Sequence, residues 1–207
     1  MNISIIDYGM GNLRSVLNAL ETFDCNVQII DRPDELRAAD KIVLPGVGAF
    51  GDGIKNLHQR GWVPVLEEQV IQHGKPFIGL CVGMQVLATT GTEYGTHAGL
   101  GWIPGVVTRL ESDEPRIRVP HIGWNDVRII NSEGMYSGMK GSGTFYFVHS
   151  YILQPDDPSV INGVSDHGAD FAASIQKDNI WATQFHPEKS QKDGLKVLQN
   201  FVNWKGD

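Results

Sequence analysis

Through the first ninety residues, short apolar runs alternate with segments whose apolar positions recur every three or four residues. Asn2–Ile6 predicts a β-branched strand ending at Asp7, and the turn Gly9-Met10-Gly11-Asn12 leads into a helix carrying Leu13, Val16, Leu17 and Leu20. Val27–Ile30 and Lys41–Leu44 predict two more strands. The third runs into Pro45-Gly46-Val47-Gly48-Ala49-Phe50-Gly51-Asp52-Gly53, read as a glycine loop before a helix of Ile54, Leu57 and His58. A further helix, Trp62–His73, is closed by Gly74, and Lys75–Leu80 returns as a buried strand. Such alternation predicts a three-layer α/β fold with a mostly parallel sheet and ligands at the carboxyl ends of its strands.

From Gly99 the pattern changes to short strands between turns: Gly105–Leu110, Trp124–Ile130, Thr144–Leu153, Phe171–Gln176 and Ile180–Phe185. These are expected to add antiparallel strands to the sheet. The segment Gln191–Trp204 places Leu195, Leu198 and Val202, with Val197 and Phe201, on a closing helix. With 207 residues and no linker or repeat, residues 1–207 are expected to form a single domain.

Charge and cysteine content then narrow the function classes. A net charge of −7 offers no basic patch for a nucleic acid or an anionic membrane surface. No apolar run reaches membrane-spanning length, and Met1–Asp7 lacks the charged start and apolar centre of a signal peptide, so a cytoplasmic protein is expected. Two cysteines, Cys25 and Cys81, exclude a disulfide framework and a cysteine-rich zinc site. No cluster has metal-ligand spacing, so neither metal nor cofactor is expected.

Gly79-Leu80-Cys81-Val82-Gly83 has the layout of a nucleophile elbow: strand, sharp turn, helix start, with flanking glycines that let the backbone turn tightly. A thiol at that turn faces free N–H groups that favour thiolate over thiol. A cysteine nucleophile needs a base and a group to orient it. His186 follows the strand Trp181–Phe185, Pro187 stops that strand, and Glu188 lies two residues on, within reach of the imidazole. Other readings are weaker. A dinucleotide site at Gly9 and Gly11 fails because Arg14 stands where the third glycine belongs, and no Gly-Lys-Ser/Thr follows the Pro45 loop.

Taken together, Pro45-Gly46-Val47-Gly48, Gly79-Leu80-Cys81-Val82-Gly83-Met84-Gln85 and Gln184-Phe185-His186-Pro187-Glu188 resemble the class I, triad-type glutamine amidotransferases. Asp7-Tyr8-Gly9-Met10-Gly11-Asn12-Leu13, Pro120-His121-Ile122-Gly123-Trp124-Asn125 and Tyr146-Phe147-Val148-His149-Ser150-Tyr151 are similar to motifs of the glutaminase subunits of imidazole glycerol phosphate synthase. The resemblance spans nearly the whole chain and implies a flavodoxin-like central sheet. It also implies attack by Cys81 on the carboxamide of glutamine, proton transfer by His186 to departing ammonia, and orientation of His186 by Glu188. The N–H groups of Val82 and of the Val47-Gly48 segment would hold the oxyanion; a lost donor costs about 3 kcal/mol or more of barrier. A side chain at Gly48 is expected to obstruct the substrate. Gln85, Ser150 and Tyr151 would hold the amino-acid end of glutamine.

The implied partner is a TIM-barrel cyclase subunit that receives ammonia through a protected passage. Asn12, Trp124, Asn125 and Tyr146 would face it. The alternatives are that Asn12 caps the first helix and that Trp124 and Tyr146 are core aromatics, the two readings weighing equally for Trp124. His121 and His149 are expected to fix a turn and a strand end. Three other readings stay open: a γ-glutamyl hydrolase or cysteine peptidase, a paralogue feeding a surface-polysaccharide sugar-amidating synthase, and a non-catalytic binding domain.

Overall fold

The computed structural model describes residues 1–112 and 117–206. Its first half runs β1 (Asn2–Ile6), α1 (Leu13–Leu20), β2 (Asn26–Ile30), β3 (Lys41–Gly46), α2 (Phe50–Gln59), α3 (Trp62–Leu66), β4 (Phe77–Cys81) and α4 (Val82–Gln85). The second half runs β5 (Ala88–Gly91), β6 (His97–Ala98), β7 (Ile103–Arg109), β8 (His121–Ile129), β9 (Ser142–His149), β10 (Tyr151–Pro155), β11 (Ile161–Asp166), β12 (Asp170–Lys177), β13 (Ile180–Thr183) and α5 (Gln191–Asn203).

The main sheet has the order β2-β1-β3-β4-β13-β12-β11-β8-β9. Its β2-to-β13 half is parallel throughout, and the remaining strands are antiparallel. β3 and β4 are buried along their whole length because both faces are covered. Their side chains alternate accordingly. Val43, Ile78 and Leu80 join Ile3 and Ile5 against α1 and α5, whereas Ile42, Leu44 and Phe77 face α2, α3 and β7. Three layers result. Lys41 fastens the last of them: its buried ammonium donates to the carbonyls of Phe201 and Trp204 at the end of α5, a favourable place for a cation. Trp204 then stacks on Trp181 with ring centroids 4.3 Å apart.

Several boundaries differ from the sequence reading. The glycine loop after β3 is confined to Val47–Ala49, since α2 begins at Phe50 and contains Gly51 and Gly53. Gly53 belongs in the helix because a Cβ there would press on Val82 and Val86 at 3.2 and 3.3 Å. Thr144–Leu153 is two strands, broken at Ser150. β9 closes the main sheet, while β10 joins a second sheet of order β10-β7-β5-β6. β13, grouped by pattern with the antiparallel strands, pairs in parallel with β4.

Candidate active site

The site lies where β4 and β13 end side by side. Their register sets Leu80 opposite Thr183, so the next residues, Cys81 and Gln184, come level at the carboxyl edge. At Cys81 the backbone turns through φ 55° and ψ −107°, a left-handed conformation that a residue with a Cβ adopts only under constraint. That constraint is packing: a Cβ on Gly79 would stand 2.4 Å from the Gly83 carbonyl oxygen, and one on Gly83 only 1.9 Å from that of Leu44. Only glycine allows the elbow to fold back on β4 and β3. The helix that follows is a single turn, Val82–Gln85. It still presents the Val82 N–H with no earlier carbonyl in the helix to bond.

His186 is held from both sides. Its backbone N–H donates to the Tyr146 carbonyl at 2.9 Å, and its own carbonyl accepts from Ser190 Oγ at 2.6 Å. β13 ends at Thr183, earlier than the Phe185 of the sequence reading, and Pro187 opens the short 3₁₀ turn Pro187–Lys189, which carries Glu188 back beneath the ring. His186 Nδ1 then lies 2.8 Å from Glu188 Oε1, with the two side chains 2% and 1% exposed. Nε2 has no hydrogen-bond partner of ordinary length, and Cys81 is near enough to act on the ring electrostatically. Burial opposes charge on this imidazole, but Cys81 and Glu188 outweigh it and carry the pKa up to about 10. The ring therefore holds its proton at neutral pH.

Above the sulfur opens a cavity of about 500 Å³ lined by Val47, Gly48, Cys81, Val82, Gln85, Ser150 and Tyr151, so every expected oxyanion and substrate residue meets there. Gly48 has φ +106°, a backbone conformation that a side chain would strain, and a Cβ there would lie 3.0 Å from Met10 Cε. Glu93 also lines the cavity and was missed by sequence reasoning. It sits in a Thr-Glu-Tyr-Gly turn with no periodic signal, and its Oε2 accepts the Phe50 N–H at 2.8 Å, tying the turn to α2. Gln184, quoted in a motif but given no role, donates from Nε2 to Cys81 Sγ at 3.7 Å.

The four residues expected at a partner surface do not share one environment. Trp124 and Tyr146 pair across β8 and β9, edge to face at 6.0 Å, and Trp124 is 49% exposed. Asn125 points to the opposite face, where its amide donates to the Asp166 carbonyl at 2.7 Å and lies 3.2 Å from His121 Nε2. Asn12 occupies the cap position of α1, yet its side chain makes no capping bond. Among the described residues no cluster of His, Cys, Asp or Glu is placed to hold a metal, and no helix is long and apolar enough to cross a membrane.

The family model for glutamine amidotransferase class-I matches residues 4–204. Imidazole glycerol phosphate synthase subunit HisH of Moorella thermoacetica is 47% identical, over 96% of this chain and 93% of its own. The protein of the same name from Geobacter sulfurreducens is 48% identical, over 98% and 99%. Among solved structures, PurLQS from Thermotoga maritima superposes with a TM-score of 0.76 at 19% identity, over 98% of this chain and 97% of that one, which speaks to the fold alone. The chain belongs to the glutamine amidotransferase class-I family and, within it, to the HisH subunits of imidazole glycerol phosphate synthase.

Proposed function

We propose that this chain, acting as one domain in the cytoplasm, is the glutaminase that supplies ammonia to an imidazole glycerol phosphate synthase. The observation that carries the reading is the strained Cys81 beside His186, whose far nitrogen is bound to a buried Glu188. Glutamine enters the cavity with its carboxamide over Cys81. The sulfur adds to the carbonyl carbon, and the developing oxyanion is taken up by the Val82 N–H and an N–H of the Val47-Gly48 segment. Collapse breaks the C–N bond, and the His186 proton goes to the leaving nitrogen, giving ammonia and a glutamyl thioester. A water, deprotonated by His186, cleaves the thioester; the sulfur leaves as thiolate, His186 is again protonated, and the glutamic acid formed loses its proton to solvent as glutamate. Glu188 fixes the ring throughout.

Gln85, Ser150 and Tyr151 hold the amino-acid end of the substrate, and the Glu93 carboxylate receives its ammonium group. Ammonia is a nucleophile only when unprotonated, so its delivery calls for a docked acceptor enzyme. A TIM-barrel cyclase subunit, converting a ribulosyl-formimino aminoimidazole carboxamide ribonucleotide into imidazole glycerol phosphate and aminoimidazole carboxamide ribonucleotide, is that partner. The exposed Trp124, paired with the half-buried Tyr146, and the Asn12 side chain provide its docking face, with Asn125 bracing β8 from behind. The test is co-purification with such a subunit, followed by assays of glutamate release and of imidazole glycerol phosphate formation. Glutamate released in step with that product is the expected result. A partner that aminates some other acceptor would overturn the pathway assignment.

A further inference from the structure

The Cys81 sulfur has a second neighbour besides His186, and the hydrogen bonds behind that neighbour fix which of its atoms faces the sulfur. The Tyr151 carbonyl can only accept. Gln85 reaches it at 2.9 Å and His149 Nδ1 at 3.1 Å, so both must donate: Gln85 presents its NH₂ group and His149 is protonated on Nδ1. The second hydrogen of the Gln85 NH₂ lies on Gln184 Oε1 at 3.1 Å. Gln184 therefore presents its oxygen to Gln85 and its own NH₂ to Cys81 Sγ, at 3.7 Å. Turning the Gln184 amide over would set two NH₂ groups against each other and an oxygen against the nucleophile. Gln184 has no room to wander: it is fully buried, and its backbone N–H is bonded to the Ala173 carbonyl at 2.8 Å.

The donor–acceptor pattern continues outward from the Tyr151 carbonyl. With Nδ1 of His149 donating, its Nε2 must accept, and His121 Nδ1 stands 3.0 Å away to supply the proton. His121 Nε2 then accepts from the Asn125 amide at 3.2 Å. Each link leaves the next only one consistent direction, and both arms start at the Tyr151 carbonyl, which orients Gln184 through Gln85 and the two histidine rings through His149. Neutral rings are required along it, and burial lowers His149 to about 3 and His121 to about 4.

We infer that Gln184 is a further catalytic residue, whose amide N–H donates to the Cys81 sulfur and stabilises its ionised form, with Gln85, oriented by the Tyr151 carbonyl, as the positioning residue. This rests on the glutaminase reading of the site. It assigns work to a neutral donor as well as to the His186 charge. A hydrogen bond to an ionised sulfur favours the charged form, and its loss should reduce the thiolate fraction.

Alkylation of the full-length chain by iodoacetamide across pH, followed by peptide mass spectrometry, reads Cys81 with Cys25 as an internal control. Gln184→Met, similar in shape and without a donor, should slow Cys81 alkylation about tenfold at pH 7 and move the midpoint of its profile upward by about one pH unit. Gln184→Glu, which keeps the acceptor for Gln85 and sets an oxygen against the sulfur, should shift the profile in the same direction and reports if the Met variant does not fold. Cys25 alkylation should be unchanged in both, and kcat for glutamine should fall while KM stays within about threefold. A Cys81 profile superposing on that of the unaltered chain, in a variant with an unaltered melting transition, overturns the inference. Failure of the glutaminase reading looks different: the unaltered chain, with its partner, would release no glutamate, and the alkylation contrast would still decide the role of Gln184.

Discussion

Replacing Glu188 by Gln removes one charge from the base while keeping its size and an oxygen that can accept from Nδ1. The carboxylate is nearly inaccessible and lies 2.8 Å from the ring, so water cannot screen the change. A hydrogen bond between charged groups contributes about 1.5–3 kcal/mol. At about 1.4 kcal/mol per factor of ten, that predicts a kcat lower by about tenfold to 150-fold, with KM for glutamine little altered because Glu188 does not line the cavity. The pH profile carries a second signature. Burial opposes the charge on His186, and Glu188 is one of two groups that overcome it. Without the carboxylate the ring gives up its proton at lower pH, so the alkaline limb of kcat, where the acid for departing ammonia is lost, should move to lower pH. Coupled measurement of glutamate release from pH 6 to 10 by the complex reads both effects. A kcat within about threefold of the unaltered enzyme, with an unmoved alkaline limb, would refute the role given to Glu188.

Four further outcomes are expected. Gly83→Ala forces a methyl group to within 1.9 Å of the Leu44 carbonyl oxygen, which should cost about 3 kcal/mol or more and lower Tm by roughly 6–12 °C in calorimetry. Glu93→Gln should raise KM for glutamine about tenfold with kcat nearly unchanged; a loss confined to kcat would remove Glu93 from substrate binding. Nitrogen NMR of the histidine rings should find His121 and His149 neutral and protonated on Nδ1, and an Nε2–H form of either contradicts the hydrogen-bond chain. Because burial holds both rings below the ordinary 6.5, the unfolded chain takes up protons that the folded chain refuses. Their share of stability is therefore present above about pH 6.5 and lost toward pH 4, and His121→Phe should flatten that acid limb in a Tm series.

The parallel half of the sheet was legible because β1, β3 and β4 are buried on both faces and read as unbroken apolar runs. β5, β6 and β11 were missed for the opposite reason: Ala-Thr-Thr-Gly, His-Ala and Ile-Asn-Gly-Val-Ser-Asp carry little apolar signal and become strands only through their neighbours. β13 was visible as a strand, but its partner was not, since pairing with β4 joins residues about a hundred positions apart. That pairing decides the site. An antiparallel β13 would put His186 at the far edge from Cys81. Cys81, His186 and Glu188 could be picked out because glycine and proline punctuate the chain around them. Gln184 and Glu93 carry no such marks, and only the fold brings them to the sulfur and the cavity.

The central claim, that glutamine chemistry resides in this chain and acceptor chemistry in its partner, is tested most directly by Cys81→Ala in the assembled synthase. Glutamine-dependent formation of imidazole glycerol phosphate should vanish, while formation from added ammonium salt at alkaline pH continues near the unaltered rate. Equal loss of both activities in an intact complex would contradict the division of labour.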